Sequence, residues 1–272
     1  MGWVHSCQQG GGFRAEGAPL YPRARWCQRV LLALGLVLAA GCSGNQEAVR
    51  RDAQTAFKLG VAYLAEGRPS PALQELTRAD ALSPKDPETL NALGLAYWQR
   101  REFELAIRHF QKATEAKPDF SEAWNNLGAL YIDQGRYDLA IPPLEKALAN
   151  VFYGTQERAL ANLGWALLRV GRSQEAEQKL RQAVEVSPSF PLPHKFLGIA
   201  LQERGIHQEA VAQLDEAIRL YPDDADTYLR RGLSQFKLGE KDAARASFEK
   251  AWHLAPGGEP GKSAKTYLDM LQ

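Results

Sequence analysis

An all-α solenoid of stacked helical repeats is the fold class that this sequence predicts, because four positions recur at a fixed spacing. Glycine recurs every 34 residues with one step of 36, at Gly60, Gly94, Gly128, Gly164, Gly198 and Gly232. Alanine occupies two further positions in every unit, and proline ends five of the six units. A repeat of this length cannot bury its own apolar face and must stack on its neighbours. The pattern therefore favours a protein that binds other proteins over an enzyme.

The first 41 residues have the pattern of a bacterial secretory signal. Arg23, Arg25 and Arg29 precede an uninterrupted apolar run over residues 30–40. This run has 11 residues, whereas a helix that spans a membrane needs ~20. A basic segment, a short apolar run and small residues are typical of a signal that is removed. Residues 1–41 are therefore predicted to be absent from the mature protein.

Cys42 follows small residues in a segment that resembles the lipobox of bacterial lipoproteins. Ala39 departs from the leucine usual at its position, and a plain signal with a chance cysteine is the alternative. The resemblance implies a covalent diacylglycerol and an N-acyl lipid on Cys42, which anchor the protein to a membrane. Ser43 is not the aspartate that retains lipoproteins in the inner membrane of enterobacteria. An outer-membrane lipoprotein with its repeats in the periplasm is therefore expected.

Residues 42–52 are predicted to form a lipidated tether, and residues 53–258 to form six repeats. With each glycine at position eight of its unit, position twenty-four is always large and apolar. The small residue lets two helices approach closely, and the large residue fills the space beside them. Proline at position thirty-two ends the second helix. Asp86 and Pro87 then start the next helix as a cap followed by proline at the first helical position.

Two of the units depart from the regular pattern in their middle. Arg101 replaces the glycine that makes the turn inside the other units, so this turn is expected to be less relaxed. In the third unit Pro142 and Pro143 fall near the fourth position of the second helix, where proline removes a hydrogen bond. Two extra residues then follow around residues 151–154. Loop drift is one explanation of this insertion, since longer loops cost little.

The C-terminal end is expected to close the solenoid. Arg231 and Gln235 occupy positions of the last unit that are usually apolar, which suits a terminal repeat that meets solvent. Residues 257–261 are expected to form a hinge before a short helix over residues 264–272. Residues 259–272 are thus the predicted capping helix.

The aligned units resemble the tetratricopeptide repeat over about residues 53–258. This resemblance implies a right-handed superhelical solenoid of six repeats with a C-terminal capping helix. It also implies that positions two, five, nine, twelve and thirteen of each first helix line an inner groove. From these positions we select the candidate partner-binding residues Phe57, Val61, Leu64, Asn91, Leu95, Trp98, Asn125, Ile132, Asp133, Trp165, Leu168 and Arg169.

The groove is predicted to be apolar with a polar edge, and an exposed aromatic strip of this kind usually marks a partner site. The alternative is that Trp98 and Trp165 only pack between adjacent units. The lysines and asparagines with which chaperone-tail-binding repeats clamp a terminal carboxylate are not assembled at positions five and nine. A peptide C-terminus is therefore not the expected ligand.

The third and fourth units resemble the pilotin lipoproteins of the type IV pilus, the PilF/PilW/Tgl type, and among these the Tgl type most. The segments that carry the resemblance are Trp124–Gly128, Gly135–Tyr137, Tyr153, Glu157–Arg158 and Asn162–Gly164. A lipobox, a short tether and six repeats are also the plan of that family. The resemblance implies binding of the pilus secretin, its outer-membrane localisation and multimer assembly, and hence pilus-dependent motility. A lipoprotein scaffold for cell-wall hydrolases, of the NlpI type, is the alternative.

Charge and motif content argue against other classes of function. The net charge is +1, and without residues 1–41 the chain keeps 29 basic and 31 acidic side chains, a net charge of −2. A nucleic-acid binder would need a basic footprint. The histidines lack metal-ligand spacing, and the chain has no phosphate-cradling glycine loop. We therefore expect no enzymatic activity, no small-molecule substrate and no cofactor besides the lipid.

Overall fold

The computed structural model of the protein describes residues 46–271. The predicted signal and Cys42 lie outside the described residues, so their interpretation stays a prediction. The described residues contain thirteen helices and no strand. Helix α1 covers residues 46–65. The others are α2 (Pro69–Leu82), α3 (Pro87–Gln99), α4 (Phe103–Ala116), α5 (Ser121–Asp133), α6 (Tyr137–Leu148), α7 (Gln156–Arg169), α8 (Ser173–Val186), α9 (Pro191–Glu203), α10 (His207–Leu220), α11 (Ala225–Lys237), α12 (Lys241–Leu254) and α13 (Glu259–Met270).

Helices α1 to α12 pair in chain order into six hairpins, and the predicted all-α solenoid is confirmed. From α3 to α11, the first helices of neighbouring hairpins contact each other. The second helices of neighbouring hairpins, from α2 to α12, make no such contact. The stack therefore bends with its first helices on the inside, which makes their exposed side the concave groove. None of the described helices combines the length and apolarity needed to cross a bilayer.

The periodic glycines allow the two helices of each hairpin to touch. A Cβ atom built on Gly164 would lie 2.5 Å from Leu180 Cγ, and one on Gly94 would lie 2.5 Å from Phe110 Cε1. Leu180 and Phe110 are fully buried. Because these contacts are closer than side chains tolerate, a larger residue at either glycine would overpack the core and cost about 1–3 kcal/mol. The sequence-based explanation of positions eight and twenty-four is confirmed.

The turn inside each hairpin requires a left-handed backbone. Five turns use glycines with φ between 68° and 83°, and nothing stands within 4 Å of their Cβ positions. The second hairpin uses Arg101, at φ 61°. A side chain at such a φ costs roughly 1 kcal/mol, so the expected strain in this turn is confirmed. Asp86 also caps α3 as predicted, since its carboxylate accepts from Thr89 N at 2.8 Å.

Three predicted boundaries differ from the structure. Residues 46–52, assigned to the tether, are already helical in α1. The expected hinge over residues 257–261 is wrong because α13 begins at Glu259, with Pro260 in its first turn, where its missing N–H has no intrahelical partner to lose. Pro142 and Pro143 are the sixth and seventh residues of α6 rather than its fourth. The helix continues to Leu148, with Pro143 buried and Pro142 exposed.

Gln235 does not meet solvent, in contrast to the expectation for a terminal repeat, and Arg231 is only partly exposed. Gln235 is buried and accepts a hydrogen bond from Ser247 Oγ at 2.6 Å. Arg231 Nε donates to the same hydroxyl at 3.0 Å. Helix α13 packs against both α11 and α12 and buries Leu268 in their common core. The polar residues of the last unit are thus paired with Ser247 of α12 and, through Arg231, with Asp215 of α10, while the capping helix covers apolar residues of that unit.

Candidate partner-binding groove

Helices α3, α5 and α7 present five partly or fully exposed side chains along the concave groove. We call this set the groove strip, and it consists of Leu95, Trp98, Ile132, Trp165 and Arg169. The first four combine an apolar surface with two indole rings, and Arg169 adds a cation at one end. Asp133 is exposed beside the strip. The groove therefore offers an apolar surface with charged groups at its margin, as the sequence predicts.

Trp98 is fixed across the boundary between the second and third units. Its indole Nε1 donates to Asp133 Oδ2 at 2.9 Å. The edge of its ring faces Phe110, with the ring centroids 6.4 Å apart and an interplanar angle of 88°. Two independent contacts therefore hold the indole in one orientation while part of its surface stays exposed.

Trp165 makes the equivalent link between the fourth and fifth units. It stacks on Phe196 with centroids 4.6 Å apart and an interplanar angle of 16°. Arg169 Cζ lies 5.5 Å from the centroid of Trp165 and 5.3 Å from that of Tyr137, so the guanidinium contacts both rings. The packing of both tryptophans between adjacent units, the alternative expected from sequence, is present, although both rings remain half-exposed.

Asparagine side chains connect the second, third and fourth units beneath the strip. Asn126 Nδ2 donates to Asn91 Oδ1 at 3.0 Å, and Asn162 Nδ2 donates to Asn125 Oδ1 at 3.1 Å. Each pair bridges two consecutive first helices, so the amides join the helices that carry the strip. Such satisfied amide pairs specify the register of neighbouring helices.

Three of the candidate residues are not available to a partner. Leu64 and Leu168 are buried in hydrophobic core clusters, and Asn125 is buried in its amide pair. Their assignment to the open groove is corrected, because these positions face the second helix or the neighbouring unit. Phe57 is half-buried against the core of the first unit, and Val61 is exposed.

The structure adds residues that the sequence argument missed. Asn126 and Asn162 belong to the amide pairs, and Phe196 and Tyr137 support the two ends of the Trp165 and Arg169 cluster. Asn126, Asn162 and Phe196 stand at position six of their units, which was not counted among the groove positions. The repeated asparagine at position six was the available signal, since polar residues at one repeated position often bond across units.

The last two units present a different inner surface. Lys195 Nζ lies 2.8 Å from Asp224 Oδ2 and 2.9 Å from Asp226 Oδ2. Burial alone would lower the pKa of Lys195, but the charges and hydrogen bonds of Asp226 and Asp224 outweigh it and raise that pKa. Gln202 Nε2 donates to Ser234 Oγ at 2.7 Å. Charges and hydrogen bonds thus occupy the groove where the first units leave it open.

The described residues also bear on metal and acid–base chemistry. Among residues 46–271, no group of three or more His, Cys, Asp or Glu side chains is arranged to hold a metal ion. His109 stacks on Tyr97 with centroids 5.1 Å apart. Burial, and then the charge of Lys112, lower the pKa of His109. This histidine lies on the second helix of its unit, away from the groove strip.

Solved structures with the same fold include PilF and PilW. The structure from the functional characterisation of Pseudomonas aeruginosa PilF has a TM-score of 0.73 and 20% identity, and the alignment covers 82% of this chain and 99% of PilF. PilW, described as a widely conserved type IV pilus biogenesis factor, gives 0.71 and 22%, over 78% of this chain and 98% of PilW. YrrB, a repeat protein with an unusual peptide-binding site, gives 0.55 and 22%, over 70% and 97%. At these identities the likeness shows a shared fold.

Two curated relatives match over a shorter segment of 96 residues. FlbA of Caulobacter vibrioides is 33% identical there, and the Hsp70-Hsp90 organizing protein of Triticum aestivum is 29% identical. The segment is 35% of this chain and 16% of each relative's length.

Family models described as tetratricopeptide repeat match residues 63–131, 119–189, 161–225 and 197–259. Together the matches run from residue 63 to residue 259, which is well over half of the chain. They extend from the end of α1 to the first residue of α13 and so cover α2 to α12, whose glycines, alanines and inner first helices follow the same period. The chain belongs to the tetratricopeptide repeat family.

Proposed function

We propose that this protein is a pilotin: an outer-membrane lipoprotein that binds the type IV pilus secretin and promotes its localisation and multimer assembly. Pilus biogenesis and pilus-dependent motility then depend on it. The observation that carries the proposal is the groove strip, an apolar surface fixed on three consecutive first helices. Sequence resemblance to pilotins in the third and fourth units supports the choice of partner.

The geometry of the groove strip suits an extended or helical apolar segment. Trp98 and Trp165 are each held by contacts from two units, so little side-chain entropy is lost when a partner covers them. Large aromatic residues in such preorganised positions are the usual anchors of protein interfaces. Arg169 stands at the end of the strip, where it suits an acidic residue or a backbone carbonyl of the partner.

The fold gives independent support. This chain matches PilF and PilW over almost their whole length, and PilW is described as a pilus biogenesis factor. The proline pair in α6 and the loop after α6 depart most from a regular repeat. Both lie in the region that resembles pilotins. The proposal therefore combines a shared fold with a local sequence resemblance, neither of which depends on the other.

The lipid on Cys42 is the part of the proposal that places the groove beside the membrane. Gln46, the first described helical residue, follows Cys42 by four residues. Four extended residues span at most ~14 Å, and the helical stretch from residue 46 to residue 52 adds ~9 Å. The solenoid therefore works within about 25 Å of its lipid, which is a shorter reach than an extended tether would give.

The experiment is a membrane fractionation with secretin immunoblotting of unheated samples, in cells with and without the gene. We expect heat-resistant secretin multimers to disappear from the deletion strain while the monomer persists. Complementation with Cys42→Ala should leave the multimers reduced, because the solenoid is no longer held at the membrane. Unchanged multimers in the deletion strain would contradict the pilotin function, and altered wall hydrolysis with normal pili would support the hydrolase scaffold instead.

A further inference from the structure

Four of the five most exposed large apolar side chains in the described residues lie on one edge of the solenoid. We call this side, where the first helix of each unit begins and the second helix ends, the proximal edge. Its three consecutive junctions after α6, α8 and α10 present Val151 and Phe152, then Val186, then Tyr221. Their exposed fractions are 76%, 92%, 53% and 56%. A row of protruding apolar side chains on successive units is a feature of the surface, not of the core.

The opposite edge, where the two helices of each unit turn, differs. The large apolar side chains exposed there in the described residues are Leu139, Leu238 and Met270, and Met270 lies at the end of the capping helix. Val170 and Ile206 also stand in turns of this edge, but both are partly buried, and the remaining turn residues are glycine, arginine, glutamate and glutamine. The row is therefore specific to the proximal edge and does not follow from the repeat itself.

The most exposed pair is held outward by hydrogen bonds to its backbone. Phe152 N donates to Asn150 Oδ1 at 3.0 Å, and Gln156 Nε2 donates to Val151 O at 3.1 Å. The next residue, Tyr153, is buried in the core beside Ala147 and Ala159. These contacts fix the backbone of the loop on both sides of Val151 and Phe152. Both side chains point into solvent, so packing does not explain why they are apolar.

Aromatic groups and charges of both signs lie near this loop, since the carboxylates of Glu122 and Glu157 act on the adjacent Tyr153 together with Arg158. Asn150 Nδ2 donates to Asp119 O at 3.3 Å, which brings the preceding junction against it. In that region Lys146 Nζ lies 4.4 Å from the centroid of Trp124, and Lys117 Nζ lies 5.1 Å from that of Phe120. Lysine with tryptophan or tyrosine beside protruding apolar side chains is typical of a surface at the boundary between water and lipid.

We propose that the proximal edge lies on the lipid surface, with Val151 and Phe152 inserted and Val186 and Tyr221 at the level of the headgroups. Single side chains spread over three junctions, with no groove between them, suit a flat and fluid apolar phase better than a shaped protein pocket. This inference rests on the proposed lipid anchor, because residue 52, where α1 joins the solenoid, lies on the same edge. Contact along this edge would set the groove sideways, open to a partner in the same membrane.

Insertion of two side chains is too weak to hold a free protein on a membrane. The anchor changes this, because it converts insertion into an intramolecular event at high effective concentration. The edge therefore orients a protein that the lipid already retains. The test must use the lipidated protein and must report on depth, not on membrane binding.

The test labels single cysteines with an environment-sensitive fluorophore in the mature lipoprotein, reconstituted in phosphatidylethanolamine and phosphatidylglycerol vesicles. Lipid occupies Cys42 in that protein, so Phe152→Cys provides the one reactive thiol. We expect a blue-shifted emission and several-fold weaker quenching by aqueous iodide than for Gln174→Cys, an exposed control at the opposite edge. Equal quenching at residues 152 and 174 would overturn the proposal, as would protection at residue 152 that appears only when the secretin is added.

A second label guards against an effect of the first substitution. Tyr221→Cys should also be protected from iodide, and Phe152→Ser in the same protein should increase its quenching because the edge lifts from the lipid. No change on Phe152→Ser would contradict insertion of the loop. These measurements contain no secretin, so they test the lipid contact separately from the pilotin function. The lipid contact can fail while the deletion strain still loses its multimers, and the pilotin function can fail while residue 152 is still protected from iodide.

Discussion

The inner faces of the first four units and of the last two units are held together by different chemistry. In the second to fourth units, amide pairs and aromatic rings cross between units and leave the groove strip partly exposed. In the fifth and sixth units, Lys195 with two carboxylates and Gln202 with Ser234 occupy the corresponding surface. The asparagine pairs lie beneath the apolar surface and leave the groove open to a partner. The Lys195 ion pairs lie in the groove itself and fill it. The difference supports the proposal that the first units bind the partner while the last units close the stack.

The largest stability effect is expected from Lys195→Met in the closed region. The change leaves Asp224 and Asp226 partly buried without Lys195, although Arg230 Nε still lies 3.3 Å from Asp226 Oδ1. Breaking a fully buried pair costs about 3–5 kcal/mol, and the partial exposure of these groups reduces the expected loss of unfolding free energy to about 2 kcal/mol. Denaturant unfolding followed by circular dichroism measures it. Lys195→Met combined with Asp224→Asn and Asp226→Asn should recover most of the loss; if it does not, the charges are not the cause.

A smaller effect is expected from Asn125→Ala in the open region. It removes the acceptor of Asn162 Nδ2 and leaves a partly buried amide unsatisfied, which costs about 1–2 kcal/mol. Asn91→Ala is the matched control one unit earlier, where the pair is less buried, and it should cost less. Urea midpoints of the two variants provide the comparison. An equal or larger loss for Asn91→Ala would contradict the role assigned to burial.

Trp98→Phe is expected to change stability least among the groove variants. The phenyl ring keeps the edge contact with Phe110, and only the hydrogen bond to the exposed Asp133 is lost, so the change in unfolding free energy should stay below about 1 kcal/mol.

Trp98→Ala should impair secretin assembly while the protein stays abundant, because it removes the aromatic anchor itself. Thermal unfolding and immunoblots of protein abundance separate the two effects.

The smallest effect is a dependence on pH that lies outside both regions. Burial and Lys112 lower the pKa of His109 below its ordinary value of 6.5, although Asp80 opposes them. The neutral ring is therefore favoured in the folded state, and the unfolded chain binds the proton more readily. Stability from this group is complete above the ordinary value and is lost as pH falls through the lowered pKa. His109→Phe keeps a ring against Tyr97 and should flatten this part of the stability profile as pH falls below 6.5, the ordinary pKa of histidine.

The period of the sequence was enough to predict the helices, because glycine at position eight and the large residue opposite it define one packing geometry. The positions that failed are those whose surroundings come from another element. Gln235 is buried where it bonds to Ser247 of α12, and Leu168 is buried because the fifth unit packs on it. The pattern along one helix contains no information on either neighbour. The exposure of Phe152 was equally unpredictable. Nothing in its local sequence reveals that it is the most exposed large apolar side chain of the described residues.

The central claim, that the groove strip binds the secretin, is tested most directly by matched charge substitutions. Leu95→Asp and Ile132→Asp place a carboxylate in the strip, and Leu139→Asp places one at an exposed apolar residue on the second helix of the third unit. Each variant is produced in the deletion strain at equal abundance, and heat-resistant secretin multimers are measured on immunoblots of unheated membranes. We expect the two groove variants to lose the multimers and Leu139→Asp to retain them. Normal multimers with both groove variants, or their loss with Leu139→Asp alone, would contradict the assignment of the groove.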